Sequence, residues 1–422
     1  MPARAANTCR PGTYAADASA FVVVGPALAA PAEGQRYLFL DGRRGSTGDP
    51  DTIVRCSNDV VTLKQSSGPD LSWPRVATRE TDISFPSAAT QLAGRLIEPA
   101  SAGDGNHPLV VMVHGSEKTP ALQNVYAYML ASQGVSVFVY DKRGTGSSAG
   151  EYTQNFELLA DDAAAAMAQA RKMAAGRFGR AGYFGGSQGG WVAPLAATRS
   201  AADFVAVGFG LVVSPIDEDH EQLLDEARRM RLDAQAMAQV ERLSRATATL
   251  MRSHFTQGFE RLSTLRREIG NAAWALTIKG EHSGDMLRMS DPDLRRVGRA
   301  RFDNLELLWD YDASGALSKL EVPLIWILAA EDREAPIART RDLLLERQAA
   351  GHAIDAYVFP DTDHGMAEFR VNGDGTRSIT RITDGYLKLL ADWVKQTVRA
   401  PYGRSIELKP LSRTSAPEQR RE

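Results

Sequence analysis

Between Ala181 and Ala197 a short apolar run, AGYF, passes through Gly185-Gly186-Ser187-Gln188-Gly189 and straight into a helical pattern. No other stretch constrains the fold as much. A strand that turns this sharply into a helix needs tiny residues two before and two after the turning residue, which Gly185 and Gly189 supply. The turning side chain, Ser187, is left strained and exposed. A serine hydroxyl is a weak nucleophile until a base is brought to it, and the helix N-terminus behind it favours developing negative charge. G-x-S-x-G alone recurs by chance. Its place between strand and helix, with Gly190 following, gives it weight against the alternative of an ordinary glycine-rich turn.

The surroundings agree with that turn. From about residue 93, apolar runs of strand length alternate with helical patterns, as in βαβ units with a mostly parallel sheet. Leu109–Val113 and Val135–Tyr140 are near-continuous apolar runs, expected of strands covered on both faces. A helix over Tyr126–Leu130 is stopped by Gly134, and the Ala-rich segment Asp161–Met173 predicts another. Phe204–Val213, Leu324–Leu328 and Ile354–Phe359 read as later strands, and Tyr386–Val398 as a closing amphipathic helix.

The alternation lapses between Pro215 and about Leu320. Glu221–Met251, with Met237, Val240, Leu243, Thr247 and Leu250 spaced three or four apart, predicts one long helix or two joined. Nearly a hundred residues without a strand signal read as a helical cap. Before the alternation, Phe21–Val24, Tyr37–Leu40 and Val60–Lys64 are short β-type runs among Gly, Pro and Asp, and Leu40–Asp51 reads as an extended turn. The expected organisation is a small β-rich N-terminal unit over 1–88, a catalytic domain over 89–215 and 316–400, a helical cap over 216–315, and a disordered tail over 401–422.

Further candidates for chemistry follow strands. His114-Gly115-Ser116 lies at the C-terminal end of Leu109–Val113, the side on which parallel sheets bind ligands. Backbone N–H groups at or near Ser116 and at Gln188 would make an oxyanion hole, with His114 structural. Asp141–Ser147 lacks a phosphate-loop pattern and reads as a turn with Asp141 and Arg143 as buried structural charges. Asp332, just past Leu324–Leu328, is placed to orient a histidine, with Glu331 and Glu334 as rivals. Of seven histidines, His364 alone follows a strand suitably, and Asp363 beside it reads as a loop residue. The order Ser, Asp, His is that of one triad arrangement among several.

The runs VVMVHGSEK, VFVYDKRGTGSSAG, YFGGSQGGWVAPLAA, VPLIWILAAEDREAP and FPDTDHGM together resemble the α/β-hydrolase superfamily, and most of all its capped bacterial esterases and serine aminopeptidase-like hydrolases. The resemblance covers roughly residues 90–215 and 310–400. It implies an α/β fold with a mostly parallel eight-stranded sheet and catalytic loops at its C-terminal edge. It also implies Ser187 as nucleophile, Asp332 as acid, His364 as base, and Ser116 and Gln188 as oxyanion donors. Gly186 departs from the pattern, since many relatives carry a large residue there. Neither the N-terminal unit nor the cap shares the resemblance.

Composition narrows the partners. The 422 residues are 43% hydrophobic and 24% charged with a net charge of −3, so neither a nucleic-acid footprint nor a basic membrane stripe is expected. No apolar run approaches the roughly 18 residues of a membrane span. Cys9 and Cys56 lack the spacing of a zinc site; they are either a staple, implying a periplasmic or secreted protein, or two unrelated thiols in a cytoplasmic one. The expectation is hydrolysis of a small ester or short acylated substrate, without metal or organic cofactor. A peptidase or amidase acting on short peptides is the alternative, its charged site drawn from Asp217, Glu218, Asp219 and Glu221. A non-catalytic binding protein on the same fold is the alternative of another class. Trp191 and Trp274, with Trp309, are candidates for an acyl pocket, against a plain core role. Oligomeric state is not legible.

Overall fold

The computed structural model describes residues 8–27, 34–57, 59–99 and 107–410. Two small antiparallel sheets come first. One contains β1 (Gly12–Ala15), β2 (Phe21–Gly25), β3 (Arg36–Phe39) and β4 (Arg44–Ser46) in chain order; the other contains β5 (Val54–Ser57), β6 (Val60–Leu63) and β7 (Leu71–Pro74). They share a core of Tyr14, Val22, Val24, Phe39, Val54 and Val61, and a Cys9–Cys56 disulfide joins them. Strand alternation places Val22 and Val24 in this core, whereas Phe21 and Val23 face the main domain. β4 falls inside the segment expected to be an extended turn.

The main sheet takes β8 (Thr78–Ser87), β9 (Thr90–Pro99), β10 (Leu109–Val113), β11 (Ser136–Tyr140), β12 (Ala181–Gly186), β13 (Phe204–Gly208), β14 (Leu324–Ala329) and β15 (Ile354–Phe359). On either side of His364 a separate three-stranded sheet forms, of β16 (Thr362–Asp363), β17 (Ala367–Val371) and β18 (Arg377–Ile382). β19 (Ile406–Leu408) then returns to the main sheet, whose order is β8-β9-β11-β10-β12-β13-β14-β15-β19. The six strands β10 to β15 run parallel; β8, β9 and β19 pair antiparallel.

The sheet therefore has nine strands and not eight, and two expected boundaries move. β8 begins ten residues inside the segment assigned to the N-terminal unit. Its sequence, TRETDISFPS, is polar and largely exposed, so this edge strand carries no apolar signal. The end of the chain is ordered through Lys409 and Pro410, with β19 pairing to β15; the rest of the expected tail lies outside the described residues. The run Phe204–Val213 is strand only to Gly208, where Phe209 takes a positive φ of 43° and turns the chain into the site.

Helices cover both faces. α1 (Val125–Ala131), capped by Asn124, packs one face together with α11 (Tyr386–Val394). The other face is covered by α2 (Phe156–Met173), α3 (Gly189–Ala197), α9 (Ala313–Ser318) and α10 (Ala338–Ala349). Between β13 and α9 lie α4 (Pro215–Arg229), α5 (Ala234–Arg252), α6 (Phe259–Ile269), α7 (Ser283–Arg288) and α8 (Asp291–Phe302). This insertion has its own core, with Leu223, Val240, Leu243, Leu250, Leu262 and Leu294 fully buried. Of the expected alternatives, one long helix or two joined, the structure has two: Arg231 adopts φ 54°, and Asp233 caps a fresh start by accepting from Ala236 N. Because α9 packs through Ala316 and Leu317 on the main sheet, the insertion's packing ends before the expected residue 315. Among the described residues no helix is long and apolar enough to cross a membrane.

Candidate active site

The elbow is built as its glycines require. A Cβ on Gly185 would collide with the backbone of Gly189, and Ser187 sits at φ 53°, a conformation costly for any residue with a side chain. A Cβ on Gly189 would stand 3.1 Å from Val113 O and 3.2 Å from His114 O. The loop after β10 is therefore pressed directly against the elbow.

His364 faces Ser187 from the loop after β15. Its Nε2 lies 3.2 Å from Ser187 Oγ, and its Nδ1 lies 2.9 Å from Asp332 Oδ2. The Asp332 side chain is wholly buried, and its Oδ1 accepts from the amides of Glu334 (3.0 Å) and Ala335 (2.7 Å). Of the rival acids, Glu331 pairs with Arg377, while Glu334 is exposed, 3.6 Å from His364 Nε2. Burial works to lower the imidazole pKa, but the hydrogen bond and charge of Asp332, with Glu334 and Asp363, outweigh it and leave the value raised. The Phe209 ring meets the imidazole edge-on at 5.1 Å.

Asp363, read from the sequence as a loop residue, does more. Its Oδ1 accepts from the amides of His364 (2.9 Å) and Arg333 (3.0 Å), and Arg377 donates to its Oδ2 at 2.6 Å. Arg377 also donates to the Glu331 carboxylate and carbonyl, so one arginine from β18 ties the Asp332 loop to the His364 loop. Burial opposes the Asp363 charge, yet Arg377 and the two amides hold its pKa below the usual value.

The loop carrying Ser116 is anchored by its carbonyls. Lys142 Nζ, buried, donates to Gly115 O at 2.5 Å, and the Tyr152 hydroxyl donates to Ser116 O. Because the peptide unit is planar and trans, fixing Gly115 O directs the Ser116 N–H the opposite way. The amides of Ser116 and Gln188 donate to no acceptor among the described residues. Burial lowers the Lys142 pKa to about 8. His114 is half-buried, with its ring edge-on to Tyr140 at 4.7 Å and its pKa lowered to about 4, chiefly by desolvation. Asp141 and Arg143 are buried. Asp141 accepts from Ala121 N and Ser147 N, and Arg143 makes a bidentate pair with Asp162.

A cavity of about 500 Å³ reaches Ser187 and Gly186, walled by Met112, Val139, Phe184 and Phe209. The expected tryptophans are elsewhere. Trp191 stacks on Phe156 at 4.9 Å and donates to Val213 O in the sheet core. Trp274 is buried in the helical insertion, as is Trp309, which donates to Asp303. One turn of helix past Ser187 directs a side chain into packing between helices and away from the turn's open side.

On the other side of His364, carboxylates gather. Glu218 from α4 and Glu281 before α7 both have raised pKa values. For each the first cause is burial; after it come Glu281 and Glu334 for Glu218, and Glu334 for Glu281. Asp217 and Asp219, counted with Glu218 among the acids for a charged site, are used otherwise. Asp217 closes a capping box with Ser214, and Asp219 accepts from His282 N, Ser283 N and the Ser283 hydroxyl.

The strand order β8-β9-β11-β10-β12-β13-β14-β15, with the elbow after β12, is that of the α/β-hydrolase fold. Residues 105–253 match the family described as serine aminopeptidase, S33, a span running from β10 through the elbow to α5. Asp332 and His364 fall outside it. Among solved structures, an esterase of Pyrococcus furiosus is 15% identical over 68% of this chain and 84% of its own, with a TM-score of 0.41. An acylaminoacyl peptidase of Pyrococcus horikoshii is 13% identical over 79% and 44%, with a TM-score of 0.41. Est1E of Butyrivibrio proteoclasticus, bound to ferulic acid, is 14% identical over 74% and 96%, also at 0.41. No curated protein matches the chain.

Proposed function

We propose that the protein is a serine esterase that hydrolyses small carboxylic esters through a Ser187 acyl-enzyme. The observation that carries this reading is His364 bridging Ser187 and Asp332 at 3.2 and 2.9 Å beside an open, largely apolar cavity. His364 takes the serine proton as Oγ attacks the ester carbonyl, and Asp332 stabilises the imidazolium. The amides of Ser116 and Gln188 receive the oxyanion. His364 then protonates the departing alkoxide, and a water activated by the same imidazole releases the acid. The helices of the insertion act as a cap over the leaving-group side. The Cys9–Cys56 disulfide supports work in an oxidising compartment, periplasmic or extracellular.

A second reading, a peptidase or amidase, is favoured by the carboxylates of Glu218, Glu281 and Glu334 beside His364, a setting suited to a substrate ammonium. An open Ser187 speaks against the non-catalytic alternative. The test is labelling with a fluorophosphonate, beside Ser187→Ala, followed by p-nitrophenyl esters of graded length and aminoacyl p-nitroanilides. Labelling lost in the variant with faster ester turnover is the expected result. Faster anilide turnover selects the second reading, and an unlabelled, folded protein defeats both.

A further inference from the structure

The chemistry above occupies only the part of the cavity beside Ser187. Another part of its wall comes from the N-terminal sheets, through Pro26, Ala27 and Arg36. Arg36 stands at the start of β3, half-buried, with its Nε donating to Pro26 O at 3.0 Å. Among the described residues no carboxylate pairs with it. Glu117 lines the same cavity but lies beside Gly115, its Oε2 2.6 Å from where a Cβ on that glycine would stand. Burial lowers the Arg36 pKa; the nearby Tyr126 phenol opposes that, and Arg44, a second cation with no carboxylate partner among the described residues, adds to it. A guanidinium taken from water without an anion is costly, and arginine's planar fork of donors matches a carboxylate's two oxygens. The same cavity is lined by Met112, Val139 and Phe184, a wall suited to methylene groups.

We propose that Arg36, assisted by the Tyr126 hydroxyl, binds a carboxylate at the distal end of the substrate's acyl chain, so that half-esters of dicarboxylic acids are preferred over plain alkanoyl esters. This rests on the reading of Ser187 as nucleophile with the acyl group in this cavity. The sheets before β8 then supply a specificity element, and Arg36 is a binding residue remote from the reacting bond.

The experiment compares two p-nitrophenyl esters of adipic acid matched in length, one with its second carboxyl free and one with it methylated. The readout is the ratio of their kcat/KM values. Wild type is expected to favour the free carboxylate about 10-fold or more, the scale of a hydrogen bond to a charged group. In Arg36→Met that ratio falls to near one, mainly through KM, and Arg36→Lys keeps part of it. A wild-type ratio at or below one overturns the proposal, even if Arg36→Met fails to fold, and so does an undiminished ratio in Arg36→Met. Turnover of the methylated ester that survives Ser187→Ala overturns the underlying mechanism instead, so the two failures are separable.

Discussion

His364 answers to two carboxylates of different kinds. Asp332 is buried and bonded to Nδ1, and Glu334 is exposed near Nε2. Their combined effect raises the imidazole pKa. Only the neutral ring can accept the serine proton, so activity is lost as pH falls through that raised value. The acid limb of kcat/KM is therefore expected above the ordinary histidine range near 6.5. Glu334→Gln should move the limb to lower pH with kcat little changed, and Asp332→Asn should move it further while cutting kcat by about 10⁴-fold; pH–rate profiles of the three proteins check this. Gly186 is constrained in another way. A Cβ there would stand 2.6 Å from the Phe209 ring, which itself meets His364. Gly186→Ala should displace that ring and destabilise the fold by about 1–3 kcal/mol, read as a lower Tm with slower ester turnover. The reason for a glycine here was invisible in sequence, because Phe209 lies a helix and a strand further along the chain.

At the scale of elements, the hairpin β17–β18 is the part that sequence reading missed. Its turn, Asn372-Gly373-Asp374-Gly375, carries a hairpin signal, yet the strands beside it are short and half-exposed, so no apolar run draws attention to them. The elbow's turn and the parallel strands were legible because each depends on local chain geometry. The clamp was not, because Arg377 reaches Glu331 and Asp363 only in the folded molecule. Arg377→Met should free both loops and lower kcat about 10-fold or more, with fluorophosphonate labelling slowed in proportion. Lys142 holds the other side. With Gly115 O released, Lys142→Met should let the Ser116 amide rotate and reduce kcat by up to about 100-fold, leaving KM for short esters nearly unchanged. Steady-state kinetics on one ester separates these outcomes. The stretch that forms α4 and α5 was expected to be a pair or a single rod; a polar break at Arg231 and Asp233 decided for the pair.

For the whole molecule, the boundary between the N-terminal sheets and the rest was misplaced because the edge strand β8 is polar and the unit's own core is small. Cys9 and Cys56 close a span of 47 residues. Removing that link by Cys9→Ser with Cys56→Ser should cost about 2–4 kcal/mol on thermal unfolding. If Arg36 and Pro26 wall the substrate cavity, the same variant should also lose discrimination between acyl chains before it loses turnover of the smallest ester. β2 makes that wall exact in position. Its odd residues, Phe21 and Val23, belong to the large domain's packing, and its even residues, Val22 and Val24, to the small one's. A slip of one residue along this strand would exchange the two sets and mismatch both cores together. The strand thus acts as a ruler laid between two bodies, and a single residue added within it has to be absorbed in a bulge if both packings are to survive.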